Sequence, residues 1–164
     1  MGAFLKHTTI LAAFALVLLC APAHARDLPA GGMTPEDVAA WLQANNYPAT
    51  INPDPTAGAQ AGNEIVSSSV DGINYDIYFF DCSPDHRCGS LQYNAGWPAA
   101  PDRTPEKANS WNHSKRFLKA YIRDDGSAFV EYDVLIAQGS YEMLDQTLAR
   151  WRDSLPKFQI FLTQ

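Results

Sequence analysis

The chain has 164 residues, with 12 Lys and Arg against 18 Asp and Glu, a formal charge of −6. That length suits one domain with a single core, and the acidic balance argues against a nucleic-acid partner, whose phosphates need clustered Lys and Arg. The one basic cluster, Lys115, Arg116, Lys119 and Arg123, runs directly into Asp124 and Asp125 and reads as a solvated face.

Residues 1–25 have the layout of a secretory signal peptide: Lys6 and His7, an unbroken apolar run of ten residues from Ile10 to Leu19, then small residues on either side of His24 in Ala23-His24-Ala25. The run is too short for a hydrocarbon core of about 30 Å. Cleavage is expected after Ala25, leaving residues 26–164 as a single domain; only Lys6 among the Lys, Arg, Asp and Glu residues leaves, so the formal charge becomes −7. The expected location is periplasmic or secreted, with no stable membrane insertion after cleavage. A lipid anchor on Cys20 is the rival reading, but Leu19 stands where a small residue is wanted.

Thr34-Pro35-Glu36-Asp37 opens the first helix: Thr34 can cap, Pro35 suits the first turn and the acids suit the positive end of the dipole. Val38, Trp41 and Leu42 share a face, and Asn45 to Pro48 ends the helix. A short strand around Ala49 to Ile51 precedes a Pro-, Gly- and Ala-rich loop from Asn52 to Asn63. Glu64 to Val70 is a strand, Asp71-Gly72 a tight turn, and Ile73 onward a second strand in which Tyr75, Ile77 and Phe79 alternate with Asp76, Tyr78 and Phe80. A third strand carries Leu91, Tyr93, Ala95 and Trp97 on one phase. Pro98 to Arg103 is a linker, Thr104-Pro105-Glu106 starts a second helix running to about Lys115, and Trp111 is its one large apolar side chain. Phe117 to Arg123 and Ala128 to Ile136 form a hairpin about Asp125-Gly126. Gly139-Ser140 opens the last helix, with Tyr141, Leu144, Leu148, Trp151 and Leu155 at helical spacing; Pro156 is expected to kink or break it. The order α-β-β-β-β-α-β-β-α, dominated by hairpins, predicts an α+β fold: an antiparallel sheet with three helices packed against it.

Cys82 and Cys88 flank a five-residue loop of turn formers, Ser83 to Arg87. Opposed residues of an antiparallel pair lie about 4.5 to 5.5 Å apart, which suits a disulfide, and an exported chain sits where thiols oxidise. Two sharper readings are weaker. Zinc would need a fourth ligand beyond Cys82, His86 and Cys88, and the chain after residue 25 holds just one other histidine, His113. Redox-active pairs more often have two intervening residues and a helix N-terminus.

No nucleophile elbow, metalloprotease helix, phosphate loop or dinucleotide fingerprint occurs, so no catalytic residue, metal or cofactor is assigned. Ser110, His113 and Asp133 can be imagined as a triad, but such triples arise by chance in most chains of this size. Asp76, Glu131 and Asp133 fall on strands and read as the wet face of a sheet. Trp111 is expected in the core with Asn112 tying a turn to backbone.

TPEDVAAWLQANNYPATI, VDGINYDIYFFDC, SLQYNAGW, NSWNHSKRFLKAYIRDDG and the closing LARW resemble the YbjN domain family, over about Met33 to Leu162. The most specific stretch is Trp111-Asn112 followed by Arg116-Phe117, Ala120-Tyr121 and Asp125-Gly126. Members of that family are described as bacterial sensory transduction regulators. The resemblance implies a type III secretion chaperone-like fold, shared by small α+β proteins that often dimerise and hold partner polypeptides. The expectation is a non-enzymatic binding module or regulator of the cell envelope, with a protein or peptide partner and a homodimer as one possibility. Tyr78 and Phe80, on the strand face opposite Ile77 and Phe79, are the candidate partner-binding residues. The alternative is a small-molecule binder or hydrolase using a cleft between sheet and helices, which requires converging polar groups.

Overall fold

Each helix begins where its capping chemistry lies. The Thr34 hydroxyl accepts the Asp37 N–H at 3.2 Å while the Asp37 carboxylate accepts the Thr34 N–H at 3.2 Å, a reciprocal box that starts α1 (Pro35–Ala44). Thr104 accepts from the Lys107 N–H to start α2 (Pro105–Ser114), and Ser140 accepts from the Met143 N–H to start α3 (Tyr141–Leu162). The computed structural model describes residues 26–55 and 64–164. The segment expected to be a signal peptide, Cys20 and most of the Pro-, Gly- and Ala-rich loop lie outside the described residues.

Six strands form one sheet in which every neighbour is antiparallel: β1 (Thr50–Pro53), β2 (Glu64–Val70), β3 (Ile73–Cys82), β4 (Cys88–Trp97), β6 (Ala128–Leu135) and β5 (Lys119–Ile122), in that spatial order. The chain order is α-β-β-β-β-α-β-β-α, so the fold is α+β. After β4 the chain passes through α2 to the far edge, leaving room for β6 to insert between β4 and β5.

The pleat sorts each strand into two faces. One face carries Val66, Tyr75, Ile77, Phe79, Leu91 and Tyr93, all buried. Against it α3 lays Trp151, whose ring centre is 5.7 Å from Tyr75 and 5.5 Å from Tyr93. About two turns further on, Phe158 packs 5.1 Å from Trp97 and 4.9 Å from Trp111 of α2. All three helices therefore share one side of the sheet through a common core.

Three expectations need correcting. Pro156 does not break the last helix, which continues to Leu162. A helix-interior proline costs about 3 kcal/mol. Beyond it Phe158 and Leu162 are buried, each worth about 1.5 to 3 kcal/mol, so their burial offsets the cost. The strand expected to begin at Phe117 begins at Lys119 instead, because Phe117 takes a left-handed φ of 76°, outside the extended region of a regular strand. The first strand is shifted to Thr50–Pro53, since Ile51 pairs with Val66 and Pro53 with Glu64.

Candidate functional site

The opposite face of the sheet has no helix over it among the described residues. Cross-strand registry arranges its side chains in rows. In one row Asp76 of β3, Asn94 of β4, Glu131 of β6 and Lys119 of β5 stand side by side. Ser67 donates to Asp76 at 2.6 Å, Asn94 donates to Glu131 at 3.1 Å, and the Lys119 ammonium meets Glu131 at 2.6 Å. That hydrogen-bonded pairing holds the Lys119 pKa above its ordinary value. In the next row, Tyr78 lies beside Gln92, which donates to Asp133 at 2.7 Å. Tyr78 is half-buried, and burial first, then the Asp76 carboxylate, pushes its pKa up. The third carries Phe80, Ser90 and Leu135.

Phe80 is 47 % exposed and Leu135 80 % exposed, and with Gln92 and Asp133 they border a cleft of about 300 Å³. At the other end of the sheet Tyr121 stacks on Phe129 with ring centres 5.3 Å apart, and the Arg123 guanidinium lies 3.9 Å over the Phe129 ring. The Phe129 ring in turn covers Gly96, where a Cβ would come within 2.7 Å of it. The face is thus polar along its middle and aromatic or aliphatic at both ends.

Cys82 and Cys88 are bonded as a disulfide, with Cα atoms 3.9 Å apart, directly opposite each other across β3 and β4. The tip is held from two further directions. Met33 and Cys88 exchange backbone hydrogen bonds at 3.2 and 3.0 Å, and Arg87 donates to the Gly32 carbonyl at 3.0 Å and to the Asp37 carboxylate at 3.1 Å. A cleft of about 460 Å³ lies between the start of α1 and this tip, bordered by Glu36, Glu64, Asp85 and His86. Among the described residues no group of three His, Cys, Asp or Glu is placed to hold a metal ion.

The imagined triad is not assembled. Ser110 and His113 are exposed on α2, on the helix side, whereas Asp133 lies on the uncovered face and is engaged by Gln92. The residues of the most specific stretch serve the edge of the sheet. Trp111 is buried against Phe158 and Phe161. The Asn112 amide donates to the Ala120 carbonyl at 2.9 Å and accepts the Ala120 N–H at 2.8 Å, taking the place of a further strand beside β5. Phe117 is exposed, with the Arg116 and Arg150 guanidinium groups 4.9 and 5.0 Å from its ring centre. Tyr121 points to the other face with Phe129.

Reading strand by strand did not single out Leu135, Phe129 or Arg87. Leu135 had a usable signal: a large apolar residue out of phase with Val130, Tyr132 and Val134 must stand on the opposite face. Arg87 had none, because its partner Asp37 is 50 residues away.

A comparison with curated proteins finds no match. Residues 34–160 match the family YbjN, described as "Putative bacterial sensory transduction regulator". The match spans α1, the whole sheet and most of α3, including the uncovered face and the Trp111-Asn112 edge clasp, so the chain belongs to the YbjN family.

Proposed function

We propose that this protein is an exported, non-enzymatic regulator of the bacterial cell envelope that holds a polypeptide partner on the uncovered face of its sheet. The observation that carries the reading is the Phe80–Leu135 end of that face, where two large apolar side chains stand in solvent beside Asp133. Isolated exposed apolar residues are ordinary, but two large ones in one row across Ser90, with Gln92 and Asp133 beside them on a face that no helix covers among the described residues, suit a contact surface. Asp76 and Asp133 add negative charge, whereas Glu131 is balanced by Lys119. The complementary occupant is a peptide segment bearing Lys or Arg next to apolar side chains. Membership of a family described as regulators supports the regulatory part, and the signal-like residues 1–25 with the Cys82–Cys88 disulfide support export.

The test is photocrosslinking in the producing cell. A photoreactive residue at Phe80 is expected to yield one discrete polypeptide adduct whose crosslinked segment carries basic and apolar residues. The same probe at Asn109, exposed on α2, should yield none, and Asp133→Lys should abolish the Phe80 adduct. An adduct to a second copy of the chain makes the face a homodimer interface instead, and no adduct at all refutes the reading. A small-molecule role would centre on the cleft between α1 and the hairpin tip.

A further inference from the structure

The first described residues are anchored to the start of α3. The Arg26 backbone nitrogen lies 3.1 Å from both carboxylate oxygens of Glu142, and the Arg26 carbonyl accepts the Tyr141 N–H at 2.9 Å. Asp27 bridges Ser140, and the Leu28 N–H donates to the Gly139 carbonyl at 3.0 Å, with Leu28 itself buried. The Arg26 guanidinium lies 3.8 Å over the Tyr141 ring. A single amide N–H shared between two carboxylate oxygens uses little of what that carboxylate can offer. A terminal ammonium in the same place would bring three donors and a full positive charge.

We propose that cleavage between Ala25 and Arg26 creates an α-ammonium group that the Glu142 carboxylate receives, so that removal of the leader completes an ion pair the precursor lacks. This rests on the export part of the proposed function. A signal peptidase hydrolyses the amide by adding one water across it. The hydroxyl goes to the Ala25 acyl carbon, which leaves as a carboxylate, and the Arg26 nitrogen gains a hydrogen from water and then a proton, becoming the ammonium. The spacing of Ala23-His24-Ala25 places the cut at that nitrogen.

The electrostatic surroundings favour the ammonium. Asp27 follows it in the chain, Glu142 meets it from α3, and Tyr141 and Asp145 of α3 with Asp37 of α1 border the same groove as Arg26. Asp37 is paired with Arg87, and Asp145 accepts the Trp41 indole N–H at 2.9 Å. The competing cation is the Arg26 guanidinium, and it is seated on the Tyr141 ring. Hydrogen bonding to the Arg26 nitrogen is the first cause that holds the Glu142 pKa below its ordinary value. The α-amino group, with an ordinary pKa of about 7.7 to 8.0, is raised by the same partner. The pair's stabilisation is present at neutral pH, lost on the acid side as Glu142 protonates, and lost on the alkaline side as pH passes the raised α-amino pKa.

The experiment compares two forms of the disulfide-intact protein. One is exported from the full chain; the other is made without the leader and retains a Met before Arg26, so that the Arg26 nitrogen stays an amide. Terminal sequencing of the exported form should begin at Arg26; another start overturns both the inference and the cleavage on which it rests. At pH 7 the exported form should melt about 1 to 4 °C higher, the scale of one exposed ion pair in a domain of this size. The difference should vanish in Glu142→Gln and again near pH 10. Equal melting at pH 7, or a difference that survives Glu142→Gln, overturns the ion pair while leaving export and the sheet-face reading standing.

Discussion

Asn112 offers the sharpest test of how this fold closes its sheet. Its side-chain amide makes two hydrogen bonds with the Ala120 backbone, at 2.9 and 2.8 Å, and Ala120 is 4 % exposed. Each intramolecular hydrogen bond contributes about 1 kcal/mol net, and a buried backbone group left unpaired costs about 1 to 3 kcal/mol. Asn112→Ala is therefore expected to lower the unfolding free energy by roughly 2 kcal/mol, or about 6 to 8 °C in Tm for a domain of this size. The assay is urea unfolding at pH 7 with the disulfide intact, where the midpoint should fall and the m-value stay constant. Asn109→Ala, an exposed change on the same helix, should stay within about 0.5 kcal/mol of the parent. Asn112→Asp should recover less than half of the loss, because it keeps an acceptor for the Ala120 N–H but turns a second oxygen toward the Ala120 carbonyl. If Asn112→Ala matches Asn109→Ala, the clasp contributes nothing and the argument fails.

Gly32 and Gly31 form a matched pair for a second test. Both have positive φ, 103° and 85°, but a Cβ at Gly32 would lie 1.9 Å from the Cys88 carbonyl oxygen, whereas nothing lies within 4 Å of one at Gly31. Gly32→Ala should cost at least roughly 2 kcal/mol and Gly31→Ala about 1 kcal/mol by thermal melting; equal costs would contradict the close approach of Gly32 to Cys88. A third concerns alkaline pH. Burial raises the Tyr75 pKa to about 12 from 10.0. A phenol whose folded pKa is raised favours folding below its unfolded pKa and loses that contribution as pH rises toward the folded value. Stability should fall above about pH 10 by up to about 1.4 kcal/mol per pH unit from this group, and Tyr75→Phe should flatten the decline. An unchanged slope in that variant would rule out Tyr75 as its source.

Much of this fold is written locally. Thr34, Thr104 and Ser140 cap their helices because a hydroxyl can satisfy an N–H three residues on, a fact contained within one turn. Asp71-Gly72 and the alternation of Tyr75, Ile77 and Phe79 likewise need no distant information, and the α-β-β-β-β-α-β-β-α order follows from them. The departures occur where distant packing overrides a local rule. Pro156 stays helical because Phe158 finds Trp97 and Trp111. Phe117 leaves the strand because its backbone is held in a left-handed turn ahead of Leu118, which is buried.

By itself the sequence determined the helix starts, the hairpins, the cysteine pair at a hairpin tip and the two phases of the strands that flank it. Only the tertiary structure decided which phase the helices cover, that β6 inserts between β4 and β5, and that Phe80 and Leu135 end in one row across Ser90. The physical reason is symmetry. A period of two divides a strand into two faces but does not rank them when both carry aromatics, as β3 does with Tyr75 and Phe79 on one side and Tyr78 and Phe80 on the other. The ranking came from α3: burying Trp151 against Tyr75 and Tyr93 covers one face, and among the described residues no helix is left for the other.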